Sequence, residues 1–217
     1  KSNIGKPYQK IGGKSLVEIN IIKARKFKQI KTIILVYNKK DKKIVKSLKM
    51  KDVKLILGGK NRQQSTFNAL KYLIKSKGIT NVLIHDAARP NFSLKLLNSI
   101  LNKIKKSRAV VPKIDIQDAV KQRIESSLSE YILGKSRDDL FLTQTPQAFK
   151  LKEIYHLHKN NSDKYKDDDI SLYMDLNEIK FIKGEKNNFK ITDLEDFKKL
   201  KDIFKSKQTV GIGFDVH

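Results

Sequence analysis

The sequence predicts an α/β fold: a mostly parallel central sheet flanked by helices. Three observations predict it. Short continuous apolar runs alternate with segments of helical period. The runs are apolar on both faces, as strands covered on both sides are. The most distinctive turns, Gly58-Gly59 and His85-Asp86, fall where two of those runs end, and parallel α/β sheets bind ligands at strand carboxyl ends.

The elements follow in order. Residues 15–27 carry Leu16, Ile19, Ile22 and Ala24 at helical spacing. Residues 32–37 (TIILVY) read as a buried strand, and 41–50 as a lysine-rich amphipathic helix with Asp41 near its start. A second strand, 53–57, ends at Gly58-Gly59, and a helix covers 62–74. Residues 81–85 (NVLIH) form a third buried strand. Ser93 suits the N-cap of a helix over 93–106, and 109–112 is a fourth strand. From about 113 to 147 the pattern changes to short β-like pieces with polar spacing, read as an arm leaving the sheet. Helices resume at 150–158 and 193–204, with a strand near 179–182.

Composition narrows the function. The 217 residues suit one large domain or two small ones, and the clustered 39% of apolar residues predicts a packed core. No apolar run approaches the ~20 residues needed to cross a bilayer. The absence of cysteine excludes disulfides, thiolate metal sites and a cysteine nucleophile. The four histidines, His85, His156, His158 and His217, lend an all-histidine zinc site little support. The chain opens on Lys1 and shows no signal-peptide core, so a fragment is expected.

A net charge of +24 invites a nucleic-acid reading. The lysines, however, are spread over nearly every segment, as an AT-rich genome would spread them, and no nucleic-acid recognition module is visible. Against that background the six arginines stand out, because the guanidinium fork binds phosphate and carboxylate in ways lysine does not.

Seven constellations carry chemistry. Lys6 sits in the glycine-bearing loop NIGKPYQKIGG, suited to phosphate charge. In LGGKNRQQS, Gly58 and Gly59 admit a base or phosphate close to the backbone, and Ser65 adds a hydroxyl. In IHDAARP, Asp86 suits magnesium or a substrate hydroxyl, and Arg89 fixes either Asp86 or a phosphate. SRDDLFLTQTPQAF offers Arg137 and Thr145 to an anion. DDDISL, from Asp167, reads as an acidic helix start. NNFKITDLEDF places Lys190 before a helix capped by Thr192 or Asp193. GIGFDVH ends the chain with Asp215 and His217 on one face if it is a strand, a geometry for two metal ligands.

These motifs, in this order and spacing, resemble the 2-C-methyl-D-erythritol 4-phosphate cytidylyltransferase family over about residues 6–204: HDAARP, the TPQAF turn with an arginine eight residues before Thr145, and the GG…R..S segment. The resemblance implies a Rossmann-like nucleotidyltransferase fold with a protruding β-arm. It implies CTP, methylerythritol phosphate and magnesium as ligands, a cytoplasmic location, and a homodimer built through the arm. Lys6 and Lys190 match lysines that meet charge at the α-phosphate. Gly58, Gly59, Ser65 and Ala87 match nucleotide-binding positions. Asp86 and Arg89 match substrate-binding positions, and Arg137 and Thr145 match residues that a neighbouring subunit supplies. The family's glycine-rich segment is expected just before residue 1.

The tail GIGFDVH looks like the opening of a 2-C-methyl-D-erythritol 2,4-cyclodiphosphate synthase, whose Asp-x-His pair binds a divalent metal such as zinc. Residues 1–206 are therefore read as the transferase domain and 207–217 as the start of a cyclase, within a bifunctional chain. Asp167 stands where the family usually has threonine, and is left out of the site. Either Asp115 or Asp118 matches a family aspartate, with Asp118 fitting its Asp-x-x-Lys spacing better. The competing readings are a cytidylyltransferase for another polyol phosphate, such as ribitol 5-phosphate, and a basic nucleic-acid-binding module.

Overall fold

The computed structural model describes residues 5–48, 50–123, 131–133, 136–161, 166–173 and 177–205, with backbone alone for 122–123 and 131–133. In chain order the elements are β1 (Lys10–Ile11), β2 (Lys14–Ser15), α1 (Leu16–Arg25), β3 (Ile33–Tyr37), α2 (Lys42–Ser47), β4 (Val53–Leu57), α3 (Arg62–Leu73), β5 (Asn81–Ile84), α4 (Leu94–Lys103), β6 (Ala109–Asp115), β7 (Lys121–Arg123), β8 (Tyr131–Leu133), β9 (Phe141–Thr143), β10 (Gln147–Lys150), α5 (Leu151–Asn160), β11 (Ile179–Lys183) and α6 (Leu194–Lys205).

Local chemistry explains several boundaries. Gly12 (φ 55°) and Gly13 (φ 78°) turn the β1–β2 hairpin with the two positive φ values that a tight primed turn demands. Ser15 and Glu18 then form a reciprocal capping box that starts α1. Ser93 caps α4, as expected, by accepting from the Leu96 N–H. At α6 the choice falls on Asp193, whose Oδ1 accepts from the Asp196 N–H at 2.9 Å. Asp41 makes no side-chain cap; Asn38 caps the short 3-10 turn before α2 instead.

The sheet is mixed, which corrects the mostly parallel expectation. Its path is β11–β6–β10–β5, with β9 also on β6. Only β6–β11 is parallel here; β10 runs antiparallel to both β5 and β6, and β9 antiparallel to β6. The reason is the excursion after β6. A chain that leaves along one strand and comes back along the next runs antiparallel without a crossover helix. Residues 147–150 therefore form a central strand where the sequence suggested arm and helix. The expected arm at 113–147 is correspondingly shorter: β6 continues to Asp115, β9 pairs with it, and β7–β8 form an antiparallel ribbon between them.

Successive residues of β6 and β10 point to opposite faces, and both faces are covered. Ala109, Val111 and Phe149 pack with Leu70 and Leu73 of α3 and Leu151 and Ile154 of α5. Val110 and Ala148 pack with Leu96, Leu97 and Ile100 of α4. Phe149 is 0% exposed, a burial worth about 1.5–3 kcal/mol.

β3 and β4 form a separate parallel pair. Among the described residues β3 pairs only with β4, and β5 only with β10, so each has a free edge. A cavity of about 580 Å³ lies there, lined by Ile33 and Leu35 of β3, Val82 and Ile84 of β5, Leu70 and Leu97. Every residue of β3 and β5 stays only partly buried. Among the described residues no helix is long and apolar enough to cross a membrane.

Candidate functional site

Asp86 follows β5 at its carboxyl end, on a turn closed by the Arg89 N–H donating to the Asp86 carbonyl at 3.0 Å. The Asp86 N–H donates to Thr145 Oγ1 at 3.0 Å. That hydroxyl is therefore free to donate in turn to His85 Nδ1, 3.1 Å away. His85 Nε2–H then donates to the Arg89 carbonyl at 3.1 Å. Burial pushes the His85 pKa down to about 4, against the pull of Asp86 and the Arg89 carbonyl, so the ring is neutral at ordinary pH.

Three cations surround the Asp86 carboxylate. Lys190 Nζ lies 3.2 Å from Oδ2, Arg89 Nε 3.8 Å from Oδ2, and Arg62 Nε 3.7 Å from Oδ1. Burial alone would raise the Asp86 pKa; Lys190, Arg62 and Arg89 outweigh it and hold the carboxyl below its ordinary value. Arg89 is itself fixed, donating from Nη1 to the Asn188 carbonyl at 2.9 Å, while its buried Nε has no hydrogen-bond partner. Lys190 keeps 47% of its side chain exposed and so stays available to a ligand.

The loop bearing Lys190 is held by buried amides. Gln144 Nε2 donates to the Glu185 and Asn188 carbonyls, and Asn188 Nδ2 donates to the Thr145 carbonyl at 2.9 Å. The Ile191 N–H donates to the Ala88 carbonyl at 2.9 Å, which ties the loop to the Asp86 turn. Residues some 100 positions apart thus meet around one carboxylate.

Beside β4, the Gly59 N–H donates to Ser65 Oγ at 3.0 Å, and that hydroxyl donates to the Asn61 carbonyl at 2.8 Å. Asn61 caps α3 by accepting from the Gln64 N–H at 2.8 Å. A Cβ on Gly59 would lie 2.4 Å from Gln64 Cγ, so only glycine fits this approach. The Gly58 N–H donates to the Tyr37 carbonyl at 2.8 Å. Ala87, next to Asp86, accepts from Asn20 Nδ2 at 2.9 Å.

The structure thus brings Asp86, Arg89 and Lys190 together and orders Gly58, Gly59, Ser65 and Ala87 nearby. Lys6 is exposed at the start of a 3-10 turn, Lys6–Tyr8. Arg137 is exposed and donates to the Gln117 carbonyl at 2.8 Å. Among the described residues no ion pair links it to Asp86. Thr145 departs from the expectation of a residue offered to a neighbour: it is 4% exposed and braces its own chain's Asp86 turn. Asp215 and His217 lie outside the described residues.

The sequence reading also passed over part of the site. Asp169, taken as part of an acidic helix start, is 1% exposed and pairs with Arg62 at 2.5 Å and His158 at 3.0 Å. Asp168 accepts from Ser171, Thr143 and Gln147, and these bonds outweigh burial and hold its pKa low. Asp167 is exposed. A run of three acids before an apolar residue was the available signal.

The scaffold is of the α/β class, with a carboxylate set among three cations at a strand's carboxyl end, where such folds bind ligands. A family model described as IspD: 2-C-methyl-D-erythritol 4-phosphate cytidylyltransferase matches residues 1–206. The chain belongs to that family. It is 44% identical over 216 residues to the bifunctional enzyme IspD/IspF of Pelagibacter ubique, covering 100% of this chain and 56% of that protein's length. It is 35% identical over 201 residues to the 2-C-methyl-D-erythritol 4-phosphate cytidylyltransferase of Thermosipho melanesiensis, covering 88% of this chain and 86% of the relative. Among solved structures, the 4-diphosphocytidyl-2C-methyl-D-erythritol synthase of Anaerococcus prevotii superposes with a TM-score of 0.79 at 30% identity, covering 94% of this chain and 92% of that one.

Proposed function

We propose that the full-length protein transfers a cytidylyl group from CTP to 2-C-methyl-D-erythritol 4-phosphate, releasing pyrophosphate. The observation that carries this reading is the Asp86 carboxylate held among Lys190, Arg89 and Arg62 at the end of β5. With Asp169 taking Arg62, the three cations face two carboxylates, and the one positive charge left over suits a phosphate. Asp86 keeps acceptor oxygen for the polyol hydroxyls. Lys190, half exposed and 3.2 Å from Asp86, is placed to meet both the incoming phosphate and charge developing at the α-phosphorus. Lys6 approaches the same phosphate from its loop. Gly58, Gly59, Ser65 and Ala87 take the nucleotide, with the ordered Gly59 turn giving close backbone approach.

Asp86 is the carboxylate at this turn that would hold a magnesium ion, and among the described residues no cluster of three ligating side chains exists. That fits an ion carried mainly on nucleotide phosphates, as magnesium usually is. When bound, it neutralises phosphate charge.

The reading also includes the glycine-rich phosphate cradle expected ahead of Lys6. The cavity supports it: β3 and β5, each unpaired along one edge among the described residues, both line it and leave room for one further strand. We assign the β7–β8 ribbon and Arg137 to a homodimer in which Arg137 enters the partner's site. Asp215 and His217 are assigned to a divalent metal of a cyclodiphosphate synthase half, in line with the bifunctional name of the Pelagibacter relative. The protein is placed in the cytoplasm, where CTP is made.

Pyrophosphate release with CTP and methylerythritol phosphate tests the reading. Lys190→Ala is expected to lower kcat on the order of 10²-fold while changing the KM for CTP much less. Far better turnover of ribitol 5-phosphate would transfer the assignment to that substrate. Retention on random DNA that weakens steeply with salt, without CTP turnover, would favour the nucleic-acid module.

A further inference from the structure

We propose that His158 and Asp169 are positioning residues that hold Arg62 away from Asp86, so that Asp86 Oδ1 stays open to a hydroxyl of the polyol phosphate. This rests on the assignment of Asp86 above and adds to it the device that keeps the carboxylate available.

The geometry is a chain of four side chains. His158, 1% exposed in the last turn of α5, reaches Asp169 Oδ1 with Nε2 at 3.0 Å. Its ring lies stacked on Phe67, centroids 6.3 Å apart and planes within 4°, which fixes its direction. Nδ1 has no hydrogen-bond partner, so Nε2–H is the donor and Asp169 its target. The other oxygen of Asp169 takes Arg62 Nη2 at 2.5 Å. A carboxylate that is 1% exposed needs both partners, because a buried charge is costly unless paired and hydrogen-bonded.

Arg62 has a second suitor. Its Nε lies 3.7 Å from Asp86 Oδ1, inside ion-pair range but without a hydrogen bond. Among the described residues Oδ1 accepts no hydrogen bond at all, whereas Oδ2 is taken by Lys190. A short swing of the guanidinium would convert 3.7 Å into a two-pronged fork on Asp86, the geometry arginine prefers with carboxylates. That fork would occupy both oxygens and compete with any hydroxyl. Asp169, itself braced by His158, prevents the swing. Burial works against the Arg62 cation, but Asp169, Asp86 and Asp168 together outweigh it, so the charge pulled between two carboxylates is permanent.

Steady-state kinetics of the full-length protein test the device. Asp169→Asn removes the charge that holds Arg62 while keeping the shape. It is expected to raise the KM for methylerythritol phosphate about tenfold and to leave the KM for CTP within about twofold. Because Asp169 acts through Arg62, the same substitution in an Arg62→Gln background is expected to change the polyol KM by less than about twofold. His158→Gln, which can still donate to Asp169, is expected to retain most of the affinity that His158→Leu loses. If Asp169→Asn costs as much in the Arg62→Gln background as in the wild type, or leaves the polyol KM unchanged, the proposal is overturned. Asp86→Asn separates the two layers. A polyol KM untouched by Asp86→Asn would remove the Asp86 assignment itself. A KM raised by Asp86→Asn but not by Asp169→Asn would remove only the positioning role.

Discussion

Replacing His85 with glutamine should flatten the acid side of the protein's stability profile. In the folded chain the ring is held neutral, its pKa pushed down from 6.5 to about 4, chiefly by burial. In the unfolded chain histidine takes its proton near pH 6.5. Between those values the unfolded state binds more protons, so stability falls as pH falls from about 6.5 to about 4. Each pH unit across that window costs about 1.4 kcal/mol, or about 3 kcal/mol in all. The comparison stops at pH 4.5, short of the folded pKa, so about 2 kcal/mol between pH 7 and 4.5 is the working figure. That corresponds to roughly 4–8 °C in Tm for a domain of this size. Asp86, Asp168 and Asp196, all held below 3.8, lose their own stabilising contributions only at lower pH and leave this window clear. The assay is urea unfolding of wild type and His85→Gln at pH 7 and pH 4.5. The variant starts less stable, having lost its bonds to Thr145 and Arg89, but should lose about 2 kcal/mol less on acidification. Parallel losses in the two proteins would show that His85 is not held neutral by its burial, and the Thr145–His85–Arg89 arrangement would have to be redrawn.

Two further outcomes follow from the geometry. Gly59→Ala puts a Cβ 2.4 Å from Gln64 Cγ and 2.6 Å from its Cβ, too near the root of the side chain to be relieved by rotation; the turn on Ser65 should open, with stability down by about 1–3 kcal/mol and CTP binding, by isothermal titration, weakened well beyond that of Gly58→Ala. Mixing Arg137→Ala chains with Lys190→Ala chains should restore about half the wild-type activity per verified heterodimer, because one site then carries both lesions and the other neither; no recovery would place Arg137 outside the partner's site.

Much of the fold was legible because short-range patterning reports it. The runs at 33–37, 53–57 and 81–84 are apolar enough to be strands in any context, and Ser93 announces α4 by chemistry local to its own turn. The glycines before α3 and the HDAARP turn carried their meaning in a few consecutive residues, and the family resemblance rested on them. What remained hidden depended on partners distant in sequence. Residues 147–150 look like a helix approach until β5 and β6 are seen to leave a place between them.

The acids show the same division. Asp86 was legible as a candidate from its position after a strand. That the neighbours of its carboxylate are Arg62, Arg89 and Lys190, with Lys190 nearest at 3.2 Å, is a matter of tertiary distance. Asp169 looked like one of three interchangeable acids at a helix start, yet folding buries it against Arg62 and His158, 107 and 11 positions away. The sequence by itself determined most of the strands, turns and caps, those that depend on neighbours within a few positions. Strand order and direction, and the partner each buried charge obtains, were decided only by the tertiary structure, because both arise from contacts between segments that no local pattern encodes.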